Sequence, residues 1–161
     1  MCFFNKVKIK EVEAFFEEGF QNANIPELPP KGARNSASCG RSGYDTVNKT
    51  YCRYTLRTKI GKWDIDYSAA YNKKEKTCSF TVMYFDLLIN HPDTMKALRE
   101  ANPYFSFFFN SSSVVMNSKP VQVKKLDDVK KAFYEFVKNW NESGIFGIYN
   151  KFKTNKELKN K

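Results

Sequence analysis

Apolar and polar positions alternate strictly from Tyr51 to Phe85, which predicts three consecutive β-strands. In the first, Cys52, Tyr54 and Leu56 alternate with Arg53, Thr55 and Arg57; in the second, Trp63, Ile65, Tyr67, Ala69 and Tyr71 alternate with Asp64, Asp66 and Ser68. A turn at Ile60-Gly61 sets Arg57 opposite Asp64 and Leu56 opposite Ile65, so that opposite charges pair on the face away from the core. Asn72 to Lys76 reads as a polar turn, and Thr77 to Phe85 as the third strand, with Cys78, Phe80, Val82 and Tyr84 facing inward.

A period of three and four residues replaces alternation in three other places. Ile9, Val12, Phe15, Phe16 and Phe20 mark an amphipathic helix from about Lys6 to Phe20. Asn90-His91-Pro92-Asp93 is a helix start, followed by Met95, Leu98 and Ala101 on one face and a stop at Asn102-Pro103. A final helix begins at Asp127, buries Val129, Ala132, Phe133, Phe136, Val137 and Trp140, and ends near Ser143-Gly144. Between the last two helices, Tyr104 to Asn110 and Val114 to Met116 form a hairpin around Ser111 to Ser113, and Val121-Gln122-Val123 is a short continuation. Asn22 to Asn48 has no period and carries Pro26, Pro29, Pro30, Gly32, Gly40 and Gly43, so it reads as an irregular connection long enough to have a function of its own.

These elements define an α+β fold with an antiparallel sheet of about five strands, in the order helix, three strands, helix, two or three strands, helix. At 161 residues the chain reads as one domain over 1–150, with a Lys-rich tail at 151–161 that has little to bury. Fifteen Phe residues are ample packing material for such a core. No run reaches the roughly 20 apolar residues of a membrane span, and Met1 to Lys6 lacks signal-peptide character, so the expectation is a cytoplasmic protein with no membrane insertion.

The net charge is +10 and unevenly placed: residues 31–62 hold eight Lys/Arg against Asp45 alone, and residues 119–161 hold eleven Lys against five acids. Such a field attracts nucleic acid, anionic headgroups or an acidic protein. Lys31, Arg34, Arg41, Arg53, Lys59 and Lys62 are the candidate anion or nucleic-acid contacts. Tyr44, Tyr51, Tyr54 and these cations interleave as in single-strand binders, although the alternation turns Tyr54 inward. The Gly40-Arg41-Ser42-Gly43 loop lacks the lysine and spacing of a P-loop.

Catalytic chemistry has little to work with. The four cysteines at 2, 39, 52 and 78 show no zinc spacing, and the strand order holds Cys52 and Cys78 roughly 10 Å apart, too far to bridge. His91, the only imidazole, sits at a helix start with no nucleophile motif beside it, and the Asp64/Asp66 pair lacks the Gly-Ser turn and helix of a nucleotidyltransferase. No metal, cofactor or catalytic residue is expected. Phe105, Phe107, Phe108 and Phe109 are too dense to lie on one side of a strand, so alternate members face opposite ways and form the candidate partner-binding surface.

The order of elements over Trp63 to Trp140 resembles the type III secretion chaperone-like fold, shared by secretion chaperones and YbjN-like proteins. The resemblance rests on Trp63-Asp64-Ile65-Asp66-Tyr67, Phe80-Thr81-Val82-Met83-Tyr84, Leu98-Arg99-Glu100-Ala101-Asn102, Tyr104-Phe105-Ser106-Phe107, Val114-Val115-Met116 and the helix from Asp127. It implies a non-catalytic protein that dimerises and holds an extended segment of a partner. The expectation is therefore a protein-binding module of chaperone, immunity or inhibitor type, with a homodimer and an acidic protein partner in view. The alternative is a nucleic-acid or anion-binding protein using residues 31–62 and the Lys-rich tail.

Overall fold

The computed structural model describes residues 7–34, 49–60, 63–84, 92–101, 103–109 and 113–148. Helix α1 (Ile9–Asn22) precedes strands β1 (Tyr51–Ile60), β2 (Trp63–Asn72) and β3 (Thr77–Tyr84). Helix α2 (Pro92–Ala101), strands β4 (Phe105–Phe109), β5 (Val114–Ser118) and β6 (Val121–Gln122), and helix α3 (Leu126–Ser143) follow. The fold is α+β, with a six-stranded antiparallel sheet in the order β1-β2-β3-β5-β4 and β6 beside the start of β3. The expected α1 boundaries move about two residues toward the C-terminus, while Pro92 opens α2 as its fixed φ favours. The tail 151–161, Cys2, Cys39, Arg41, Lys62 and His91 lie outside the described residues.

The β1–β2 register differs from the expected one. Arg57 pairs with Asp66, Lys59 with Asp64 and Leu56 with Tyr67, because the strands stay paired as far as Ile60 and Trp63. The shift is two residues, so the faces are preserved while every partner changes. Alternation specifies a face but is indifferent to an even slip; the bidentate Arg57–Asp66 pair discriminates. Arg57 Nε donates to Asp66 Oδ1 at 2.6 Å and Nη2 to Oδ2 at 2.9 Å.

One face of the sheet carries the core. Cys52, Tyr54 and Leu56, then Ile65, Tyr67, Ala69 and Tyr71, then Cys78, Phe80, Val82 and Tyr84 are buried beneath α1 and α3. Phe80 stacks on Phe136 of α3, ring centroids 4.8 Å apart, and meets Phe16 and Phe133 edge-on. Phe20 packs against both Phe133 and Phe136, and Phe105 meets Phe136 and Trp140. Edge-to-face and offset contacts of this kind add to the area that each ring removes from water. Gly19 makes the close approach of α1 to α3 possible: a Cβ there would lie 3.0 Å from the Phe133 ring.

Polar groups close the ends of these elements. Asp128 Oδ2 accepts the backbone N–H groups of Lys124 and Lys125 at the start of α3, which holds its carboxyl below the usual carboxylate range. Gly144, in the left-handed region at φ 64°, ends α3 and lets Ile145 turn back into the core. Where Lys119 and Pro120 separate β5 from β6, the ladder is interrupted and the buried Ser118 Oγ accepts the Phe80 N–H at 2.9 Å.

Phe136→Ala should lower unfolding free energy by about 3–5 kcal/mol, measured by urea denaturation, since four neighbouring rings cannot all collapse into the space. The register is tested by a double-mutant cycle: Arg57 and Asp66 should couple by about 1 kcal/mol or more, and Arg57 and Asp64 by less than about 0.5 kcal/mol.

Candidate functional site

The face opposite the helices is built in rows that follow strand register. One row runs Arg57, Asp66, Met83, Val115, Phe108, passing from an ion pair at β1–β2 to apolar side chains at β4. The next runs Thr55, Ser68, Thr81, Asn117, Ser106, all hydroxyl or amide. Within it Thr55 Oγ1 and Ser68 Oγ share a hydrogen bond of 3.1 Å, Thr81 Oγ1 donates to Asn117 Oδ1 at 2.9 Å, and Ser106 Oγ donates to the Asn117 carbonyl at 3.3 Å.

Exposure along these rows is graded. Thr55, Asp66 and Ser68 are buried, although alternation alone placed them toward water. The middle residues Thr81, Met83, Val115 and Asn117 are half-buried, and Ser106 and Phe108 are exposed. Phe108 has 62% of its surface in water, one of two exposed large hydrophobic residues among those described.

β4 is the edge of the sheet: its inner side pairs with β5 from Phe105↔Ser118 to Phe109↔Val114, and no described strand pairs with its outer side. Its five residues, Phe-Ser-Phe-Phe-Phe, include no charge and no proline. The other edge, β1, carries Arg53, Arg57 and Lys59. Arg57 is neutralised by Asp66, so Arg53 and Lys59 are the charges that oppose pairing of β1 with a second copy of itself, and β4 carries no such charge. As the alternation required, Phe105, Phe107 and Phe109 take the helix side while Phe108 takes the open face. Phe107 and Phe109 stack at 6.3 Å, and the guanidinium of exposed Arg99, on α2, lies 5.0 Å from the Phe109 ring centroid.

Among the described residues the candidate cations lie on two elements, Lys31 and Arg34 in the loop after α1 and Arg53 and Lys59 on β1. Arg34 is buried: its Nε donates to the Pro29 carbonyl at 2.8 Å and its Nη1 to the Phe20 carbonyl at 2.6 Å, so it ties the loop after α1 to the helix end. Its guanidinium is thus engaged within the fold, and burial alone explains its lowered pKa. Arg53 is half-buried and turns Nη2 toward Ser68 Oγ at 3.4 Å. Lys31 and Lys59 are exposed, on the post-α1 loop and on β1 respectively. A groove of about 560 Å³ between α1 and α3 holds the other exposed aromatic, Tyr134, but there Lys130 and Lys138 are offset by Glu18, and by Asp127 and Glu135 nearby.

Among the described residues no group of three His, Cys, Asp or Glu side chains lies close enough to hold a metal, and no helix is long and apolar enough to cross a membrane. Cys52 and Cys78 are free thiols in rows that both meet Tyr71, one strand on either side. Burial pushes both thiols up to about 12, with Glu13 adding to the effect at Cys52 and Cys52 itself at Cys78.

At pH 8 a thiol of that pKa is ionised to about one part in ten thousand. Peptide mapping after iodoacetamide treatment of the folded protein should therefore find Cys52 and Cys78 unmodified, and treatment in denaturant should label both. Because the folded pKa exceeds the unfolded value near 9, the thiols favour folding fully below pH 9 and lose that contribution as pH rises toward 12. The denaturation midpoint should fall over that window. Set against known proteins, no family model, no curated protein and no solved structure matches this chain.

Proposed function

We propose that the protein is a non-enzymatic binding module that captures an extended segment of another protein by adding it to β4. The observation that carries this reading is the contrast between the two sheet edges. β4 is uncharged, unpaired by any described strand on its outer side, and presents Phe108 to water, whereas β1 carries Arg53 and Lys59 beside the ion-paired Arg57. Strand addition supplies affinity through main-chain hydrogen bonds and selectivity through alternate side chains. An undefended apolar edge left bare is also an aggregation hazard, which a bound strand removes.

A chaperone-, immunity- or inhibitor-type role fits this surface, and a second copy of the chain is one occupant the same edge accepts. Nucleic-acid binding through residues 31–62 has less support, because Arg34 and Arg53 are drawn into carbonyl and hydroxyl contacts and Lys31 and Lys59 belong to separate elements.

Phe108→Asp removes the exposed ring without touching the core. Partner capture from an extract of the native host should fall by more than tenfold, since burying a Phe is worth about 1.5–3 kcal/mol, while the thermal midpoint changes by no more than a few degrees. Capture that survives this change would refute the edge reading. Generic oligonucleotide binding at about 0.15 M salt that weakens steeply as salt is added would instead favour the nucleic-acid alternative.

A further inference from the structure

We infer that the β4 edge selects a strand of a definite order: an acidic residue, an aliphatic residue, any β-forming residue, then Ser, Thr or Asn, running antiparallel to β4. This rests on the strand-addition reading and adds to it the chemistry of the segment.

The order comes from extending each row by one strand. Residues directly opposite in an antiparallel pair face the same side, with Cα atoms about 4.5–5.5 Å apart. The residue opposite Phe108 prolongs the row Met83, Val115, Phe108, and only an apolar side chain continues it without burying an unpaired polar group. The residue opposite Ser106 prolongs the row Ser68, Thr81, Asn117, Ser106, where a hydroxyl or amide finds a partner and an aliphatic group finds none.

On the helix side, the residue opposite Phe109 lies beside the ring that carries the Arg99 guanidinium. Arg99 is exposed, and among the described residues it makes no ion pair. A Glu or Asp side chain there meets five N–H donors already oriented by the ring beneath them. The acidic residue precedes the aliphatic one because an antiparallel partner meets Phe109 first, then Phe108, Phe107 and Ser106. The basic character of the chain as a whole favours the same sign of partner at long range.

The test uses labelled nonapeptides centred on Glu-Ile-Val-Thr, titrated with the full chain by fluorescence anisotropy. Three variants accompany it: Lys for Glu, Asp for Ile, and the four residues in reversed order. The parent peptide should bind wild type about three- to tenfold more tightly than the Lys peptide at low salt, the range expected when an exposed ion pair is replaced by like charges, and the gap should narrow as salt is raised. Arg99→Glu should reverse that preference, and the Asp-for-Ile peptide should bind more than tenfold more weakly.

Equal binding of the Glu and Lys peptides, or tighter binding of the reversed one, with both lost in Phe108→Asp, would overturn the proposed order while leaving strand capture at β4 intact. Binding that neither Phe108→Asp nor Arg99→Glu alters, or no binding of any peptide at millimolar concentration, would overturn both.

Discussion

The stacking of Phe80 on Phe136, with Phe20, Phe133, Phe105 and Trp140 closed around the pair, joins β3 to α3 and α1 and is the contact on which the other features depend. It occupies the centre of the sheet, because β3 is the middle strand of the order β1-β2-β3-β5-β4. Two helices laid across that centre cover one face. On the opposite face the Arg57–Asp66 pair and the hydroxyl row from Thr55 to Ser106 satisfy many of the polar groups, while buried Arg53 Nε and Asp64 Oδ1 have no hydrogen-bond partner among the described residues.

The same arrangement sets the difference between the edges. β1 and β2 are ten residues long and paired throughout, and their open face is polar, with Thr55, Asp66 and Ser68 buried. β4 has five residues, pairs with a described strand on one side only, and is the exposed end of the rows that end in Ser106 and Phe108. Burial of Asp66 at one end and exposure of Phe108 at the other invert the usual relation of polarity to water. At Asp66 the inversion is offset by a bidentate guanidinium; at Phe108 nothing in the described residues offsets it. An exposed ring on an edge that no described strand covers is the feature on which the proposed strand capture rests.

Among the described residues, part of the basic charge is used inside the fold. Arg34 fastens the loop after α1, Arg57 balances Asp66, and Arg53 leans on Ser68, so three of the cations between residues 31 and 62 act within the fold. Arg99, held over the Phe109 ring, is the cation that the proposed partner strand would meet, although its own sequence context, a helix ending before a proline, marks it only as a favourable cation at a helix C-terminus.

The sequence by itself determined the element types, their order and the inward faces of β1, β2 and β3, because side-chain period is a local property set by backbone geometry. Cys52, Tyr67, Phe80, Phe136 and Trp140 were legible as core, and the split of Phe108 from its neighbours followed from the same alternation. Tertiary structure decided whatever depends on which residues meet across a distance. An even slip of register keeps every face and so leaves no trace in the pattern, which is why Arg57 finds Asp66 instead of Asp64. Arg34 reads as a free cation until the Phe20 and Pro29 carbonyls are brought to it, and β4 reads as any other strand until the sheet order puts it at the edge. Periodicity records the direction a side chain points; only the packed sheet decides what lies there, and for Phe108 that is water.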